Sequence, residues 1–328
     1  MLDGKTILVT GGTGSFGNRF IETVLRLYKP HKVIVYSRDE FKQHQMQKKF
    51  GDNEALRFFL GDIRDKERMY RAFEGVDYIV HAAALKQVPA LEYNPTEAVK
   101  TNVIGASNII DVATDAGVEK VVSISTDKAV SPINLYGATK LVAEKLFVAA
   151  NDYVGKKTKF SSVRYGNVLG SRGSVLPIFM DLKNRGIKEF PITDPDMTRF
   201  WITLHQGINL VLLALKESDG GEIFIPRIPS MTISALARAI DPDCTFKILG
   251  IRPGEKIHET LISKEEARAT KVFLPDVYVI LPQFFQSELT SKKYDNYPSV
   301  PCGFEYSSDN NDLWLSDSKL RELINNEK

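Results

Sequence analysis

The chain has 328 residues, 43% of them hydrophobic and 26% charged, which is enough for about two globular domains with a large core. Its 43 Lys/Arg nearly balance 41 Asp/Glu with no basic block, which argues against nucleic acid as a partner. Two cysteines, Cys244 and Cys302, and five scattered histidines supply neither a disulfide framework nor a zinc site, and no apolar run nears the roughly 20 residues that span a bilayer. The first apolar run leads straight into a glycine-rich turn, so no signal peptide, no membrane partner and a reducing, cytoplasmic setting are expected.

Short β-branched runs occur at Thr6–Thr10, Lys32–Tyr36, Leu56–Leu60, Tyr78–His81 and Val121–Ser125. Stretches with helical apolar spacing lie between them at Phe16–Leu27, Arg68–Phe73 and Asn102–Ala116. That alternation predicts an α/β fold with a doubly wound parallel sheet. A helix over 135–150 and a strand at Phe160–Arg164 continue it. After Gly166 the texture changes: turn-rich segments at 170–173 and 193–198 precede an apolar helix at His205–Lys216 and a strand at Glu222–Pro226. Residues 1–166, with 202–226 contributing, are expected to form the sheet domain. Segments 167–201 and 227–328 are expected to form a smaller, interleaved α/β lobe for substrate.

The strand Thr6–Thr10 runs into Gly11-Gly12-Thr13-Gly14-Ser15-Phe16-Gly17, a GxxGxxG, and then into a helix. Glycines there permit positive φ and let backbone approach a pyrophosphate, which free amides at the helix N-terminus then bind. The spacing predicts a Rossmann dinucleotide site. The second strand ends at Ser37 and Arg38, with Lys42 four residues on; a hydroxyl and two cations suit a 2′-phosphate, so NADP is expected, while Asp39 keeps NAD as the alternative. Asp62, after the third strand, suits an adenine contact or a helix N-cap.

Tyr136 and Lys140 form a YxxxK that puts both side chains on one helical face. The chain holds three such matches, but Tyr28/Lys32 is interrupted by Pro30 and Tyr153/Lys157 by Gly155. A nearby ammonium and a nicotinamide cation lower the pKa of a tyrosine and favour its phenolate. Just upstream, Ser125-Thr126-Asp127-Lys128 ends a strand. Thr126 suits a substrate hydroxyl, and Asp127 with Lys128 forms an acid/base pair that a simple alcohol dehydrogenase does not need. A solvated loop ion pair is the alternative for these two.

These motifs, with His81-Ala82-Ala83-Ala84 and Arg164-Tyr165-Gly166-Asn167-Val168, resemble the extended short-chain dehydrogenase/reductases that act on nucleotide sugars. More narrowly, Ala83-Ala84-Leu85-Lys86, Gly170-Ser171-Arg172-Gly173, Met197-Thr198-Arg199-Phe200-Trp201 and Gly250-Ile251-Arg252-Pro253-Gly254-Glu255-Lys256 resemble the inverting UDP-N-acetylglucosamine 4,6-dehydratases of pseudaminic acid biosynthesis. Gln87 departs from the histidine expected there. The resemblance implies UDP-N-acetylglucosamine as substrate and a homo-oligomer, a dimer or larger, up to a hexamer. It implies a cofactor site of Gly11, Thr13, Gly14, Ser15, Phe16, Gly17, Ser37, Arg38, Lys42, Asp62, Ile63, Ala82, Lys86, Tyr136, Lys140 and Val168. Lys86, Asn167, Arg172, Leu176, Thr193, Arg199 and Arg252 would frame the sugar nucleotide, the last two arginines suiting its diphosphate.

The implied catalytic residues are Thr126, Asp127, Lys128, Tyr136 and Lys140. Tyr136 takes the C4 hydroxyl proton as hydride leaves C4, Lys128 takes the C5 proton, and Asp127 protonates the departing C6 hydroxyl. Hydride then returns to C6, and C5 is protonated on its opposite face. The reverse assignment, Lys128 as acid and Asp127 as base, stays open, because Asp127 favours the lysine ammonium. A nucleotide-sugar 4-epimerase or ketoreductase, a retaining dehydratase, and a non-catalytic NADP-sensing protein are the competing readings.

Overall fold

Strands with no polar face must be covered on both sides, and parallel pairing with crossover helices achieves this. The computed structural model describes residues 1–155, 157–171, 174–284 and 292–326. Its main sheet has nine strands: β1 (Thr6–Thr10), β2 (Lys32–Ser37), β3 (Leu56–Leu60), β4 (Tyr78–His81), β5 (Lys120–Thr126), β6 (Lys159–Tyr165), β7 (Ile223–Pro226), β8 (Thr270–Leu274) and β9 (Val277–Ile280). Their spatial order is β8-β9-β7-β6-β5-β4-β1-β2-β3. The run from β7 to β3 is parallel. Strands β8 and β9 add an antiparallel hairpin at one edge.

Alternate side chains of these strands feed two cores. Ile7, Val9, Val33 and Val35 pack with Phe20 and Val24 of the helix Ser15–Leu27 and with Ile208 and Val211 of the helix Leu204–Glu217. Leu8, Ile34, Ile79 and Val121 pack on the other face with Met69, Ile109 and Phe147, from the helices Lys66–Phe73, Gly105–Asp115 and Leu135–Tyr153. The chain builds outward from β1 to β3 and then returns to β4 on the other side of β1. That reversal opens a crevice at the C-terminal ends of β1 and β4, the position where such sheets bind ligands.

The lobe has its own core of Phe179, Phe190, Trp201, Leu236 and Leu320, among others. It is built on small sheets, one pairing Thr198–Ile202 with Asn167–Val168 and with Ser230–Thr232. Residues 270–280 differ from the lobe assignment made for 227–328. They form β8 and β9 and extend the main sheet, because β9 is buried along its whole length and pairs with β7. The single helix expected over Asn102–Ala116 is also different. A π-helical turn, Val99–Ile104, precedes the α-helix Gly105–Asp115, and such turns frequently mark functional sites.

Candidate active site

The glycine turn has no room for side chains. A Cβ on Gly17 would stand 2.5 Å from the Gly12 Cα, and one on Gly11, at φ +65°, would meet the Ala83 backbone at 2.9 Å. Gly14 begins the helix Ser15–Leu27, and no side chain caps that end among the described residues, which leaves a helix N-terminus open toward the crevice. Thr13, Ser15 and Phe16 lie in this turn, and Ala82 follows β4 directly. Beneath the crevice, Thr10 Oγ1 and His81 Nδ1 are 2.8 Å apart and join the ends of β1 and β4. Burial holds the His81 pKa down at about 3, with the Lys140 charge adding to the effect. The cradle therefore fits a dinucleotide by shape and by polarity.

At the end of β2, only one of three expected phosphate ligands is poised for that role. Arg38 is half exposed, 3.5 Å from the Asp62 carboxylate. Ser37 is buried, and its hydroxyl accepts from Gln43 Nε2 at 3.1 Å. Lys42 is paired with Asp39 at 2.5 Å, while Asp39 caps the helix Glu40–Phe50 through the Lys42 N–H. Asp62 accepts from Arg64 Nη2 at 2.7 Å and from its backbone N–H at 3.0 Å, so its carboxylate is already occupied. Ile63 is buried against Gly105.

The catalytic candidates converge at the end of β5. Thr126 Oγ1 donates to Asp127 Oδ1 at 2.9 Å, and Lys128 Nζ lies 3.0 Å from the same oxygen. Asp127 is buried, and its Oδ2 has no partner among the described residues. A buried carboxylate oxygen without a partner is costly, and a substrate hydroxyl would relieve it. Asn167 Oδ1 is 3.4 Å from Lys128 Nζ. Burial alone would depress the Lys128 pKa, but the Asp127 and Glu259 carboxylates outweigh it and raise the pKa, so Lys128 is an ammonium at neutral pH.

Tyr136 is the second residue of the long helix Leu135–Tyr153. Its pKa is raised, chiefly by burial, against the opposing pull of the Lys128 ammonium and of its contact with Thr126. Lys128 is thus a cation of the chain that acts on the phenol. Lys140 is buried, and desolvation pushes its pKa down to about 8, which still leaves it charged at pH 7. The helix start is fixed by Asn134, whose Oδ1 accepts from the Gly137 N–H at 2.8 Å and whose Nδ2 donates to the Gly254 carbonyl at 2.8 Å. In the loop before it, Ser131 has φ +44°, an unusual value for a residue with a side chain.

The expected sugar-nucleotide residues divide. Lys86 comes close enough to Lys128 that, after burial, the Lys128 charge also holds its pKa down. Val168 pairs with the Thr198–Ile202 strand, Leu176 is buried in the lobe core, and Thr193 is half-buried just past the strand Glu189–Ile192. Arg252 is exposed, 3.7 Å from Glu255. Arg172 lies outside the described residues. Arg199 is buried and already committed: it donates to the carbonyls of Thr198, Lys256 and Ile257 at 2.7–2.9 Å, which replaces the diphosphate contact expected for it.

Two positions were not legible as site residues. Asn102, in the π-helical turn, accepts from the Leu85 N–H and donates to the Leu85 carbonyl, each at 2.9 Å, and also reaches Thr139 Oγ1 at 3.0 Å. It thereby locks the loop before Lys86 to the long helix. Glu259 reaches Lys128 Nζ at 3.3 Å. Neither stands in a recognisable motif, and only tertiary packing brings them to the site.

Residues 7–282 match the family described as "Polysaccharide biosynthesis protein". The chain is 51% identical to a Campylobacter jejuni (strain 81-176) protein named UDP-N-acetylglucosamine 4,6-dehydratase (inverting), over 99% of this chain and 98% of that one. It is 44% identical to a Rickettsia bellii protein named UDP-glucose 4-epimerase, over 80% and 79% of the two chains. Among solved structures, Pen from Bacillus thuringiensis superimposes with a TM-score of 0.89 at 38% identity, covering 99% of each chain.

Proposed function

The chain belongs to the polysaccharide biosynthesis protein family, and from that premise we propose that it is a UDP-N-acetylglucosamine 4,6-dehydratase that inverts C5. Its product is then UDP-2-acetamido-2,6-dideoxy-β-L-arabino-hex-4-ulose, the first intermediate of pseudaminic acid biosynthesis. Near full-length identity to a protein of that name supports the assignment. The observation that carries it is the pair of buried Asp127 with partly exposed Lys128 beside Tyr136, with one carboxylate oxygen left for substrate. Oxidation and reduction at C4 alone give such a pair nothing to do.

The turn 11–17, Arg38 and the ends of β1 and β4 would hold a nicotinamide dinucleotide. Arg38 supports NADP over NAD, because a guanidinium pairs with a 2′-phosphate in two-pronged fashion. When bound, such a dinucleotide would supply the acceptor for the C4 hydride and the donor of the hydride to C6. Tyr136 takes the C4 hydroxyl proton on its phenolate oxygen, and the positive charges of Lys128 and of the bound nicotinamide favour that phenolate. Lys140, charged and buried, would help hold the cofactor when it is bound.

The 4-ketone acidifies C5–H. At rest the Asp127–Lys128 pair holds one shared proton on the lysine. Moving it across their 3.0 Å contact leaves a neutral amine to take the C5 proton and a carboxylic acid to protonate the C6 hydroxyl. Water leaves and the pair returns to ammonium and carboxylate; as C6 regains its hydride, a solvent proton added to the opposite face of C5 completes the inversion, and Tyr136 returns the proton taken from the C4 hydroxyl to solvent. Lys86 and Asn167 lie beside Lys128, and together with Leu176, Thr193 and Arg252 they are the proposed sugar-nucleotide contacts.

A nucleotide-sugar substrate and a nicotinamide cofactor are cytoplasmic solutes, which supports a cytoplasmic location. Among the described residues no helix is long and apolar enough to cross a membrane. Exposed Val99, Ile104 and Val142 on the helices beside the sheet support a homo-oligomer.

The test is product analysis by NMR after incubation with UDP-N-acetylglucosamine and NADP. A new C6 methyl on an L-arabino 4-keto sugar is expected. A D-xylo product would replace inversion by retention. The 44% identical protein named as an epimerase is what favours a second reading, 4-epimerisation; an intact hydroxymethyl group with C4 inverted would establish it instead.

A further inference from the structure

Glu259 belongs to none of the motifs that the elimination uses, yet it is built into its centre. Its side chain is 3% exposed, its Oε1 is 3.3 Å from Lys128 Nζ, and its Oε2 has no partner among the described residues. Ser308 holds it from two directions: Ser308 Oγ accepts from the Glu259 N–H at 2.9 Å, and the Ser308 N–H donates to the Glu259 carbonyl at 2.8 Å. Thr198 Oγ1 in turn is 2.7 Å from Ser308 Oγ. Arg199 Nε lies 4.0 Å from the Glu259 carboxylate, with its other nitrogens spent on backbone carbonyls.

Lys128 is thus clamped between two carboxylates, Asp127 from its own turn and Glu259 from the lobe. Arg199, Lys256 and Lys86 face the same cluster, as does the Tyr136 phenol. One carboxylate would suffice to balance one lysine. Burying a second one carries a desolvation penalty that only rigid partners offset. The arrangement fixes where Nζ sits and biases where the shared proton rests.

We propose that Glu259 is a positioning residue for the elimination: it anchors Lys128 Nζ beside Asp127 and sets the protonation balance of that pair. The proposal rests on the dehydratase reading above. A carboxylate this close favours the ammonium, so its removal lets Lys128 lose its proton at lower pH.

The experiment uses Glu259→Gln, which keeps the shape and removes the charge, and Glu259→Asp, which keeps the charge and shortens the reach. Two readouts are taken on the full chain. One is the pH at which Lys128 becomes reactive to acetic anhydride, followed by peptide mass spectrometry; the other is the pH profile of kcat for dehydration. In Glu259→Gln both midpoints move down by about one pH unit, while KM for UDP-N-acetylglucosamine is unchanged. In Glu259→Asp the rate falls but the midpoints stay near wild type. A purely structural role would lower the rate in both variants and move neither midpoint. Coincident Glu259→Gln and wild-type midpoints overturn the proposal.

Should Glu259→Gln fail to fold, Ser308→Ala removes the hydrogen bond to the Glu259 N–H and must move both midpoints the same way by less; no movement is again a refutation. Absence of any 6-deoxy product from wild type would sink the dehydratase reading, whereas the labelling midpoint still decides the part about Lys128.

Discussion

Gly137 is where the site has least room. A Cβ there would stand 2.1 Å from the Lys128 carbonyl oxygen and 3.0 Å from Pro132 Cβ. An ordinary carbon–oxygen contact is about 3.3 Å, so Gly137→Ala must part the long helix from the 127–129 turn by about 1 Å. Tyr136 rides on the helix and Lys128 on the turn, so that separation falls between the groups that must act on adjacent sugar carbons. Alanine gains up to about 1 kcal/mol in helix propensity, while overpacking costs about 1–3 kcal/mol. The obstructing atom is backbone, so the net change is a loss of about 2 kcal/mol. Misplacing reacting groups by about 1 Å costs on the order of a hundredfold in rate. We expect Gly137→Ala to melt a few degrees below wild type, to keep its NADP affinity and to lose about a hundredfold in kcat, measured by NMR-followed turnover of UDP-N-acetylglucosamine. Wild-type kcat with a raised melting temperature would refute the reasoning, because the turn would then move freely without consequence.

Arg38→Ala should weaken NADP binding about tenfold, a modest figure because the guanidinium is half exposed and shared with Asp62, and should leave NAD binding unchanged. Calorimetry giving equal losses for both cofactors would remove the 2′-phosphate role. His81, buried neutral with a folded pKa near 3 against about 6.5 when unfolded, binds a proton only in the unfolded chain between those values. Its contribution is complete above about pH 6.5 and is lost as pH falls, about 2 kcal/mol by pH 5; denaturant unfolding of His81→Gln should lack that slope. Arg164 is fully buried between Glu144 (2.7 Å) and Glu266 (2.8 Å). Arg164→Met leaves buried Glu144 and partly buried Glu266 without their cation and should cost about 3–5 kcal/mol; a loss below about 1 kcal/mol in urea melts would show that water reaches the triad.

The parallel strands and the glycine turn were legible in the sequence because their signals are local: β-branched runs, turn glycines, and a helix that opens at once. Tyr136, Lys140 and the 126–128 segment were legible for the same reason, each lying at a strand end or a helix start. Strands β8 and β9 were not, since their place in the sheet depends on pairing with β7 across some fifty residues. The π-helical turn escaped because its apolar spacing remains compatible with an α-helix. Arg199 has the chemistry of an anion ligand, and nothing local reveals that three backbone carbonyls have claimed it. The Lys42–Asp39 pair, by contrast, is an i,i+3 contact readable in advance, and it takes Lys42 from the phosphate role. Glu259 carries no sequence signal at all; the lobe's packing alone delivers it to Lys128.

The central claim is that the Asp127–Lys128 pair turns an oxidoreductase scaffold into a lyase. Asp127→Asn tests it in a single turnover with UDP-N-acetylglucosamine, following absorbance at 340 nm and then the sugar by NMR. Oxidation at C4 depends on Tyr136, so the absorbance should rise and persist, with the hydroxyl retained at C6 and no new methyl. A 6-deoxy sugar formed at the wild-type rate, with no lasting absorbance, would contradict the account.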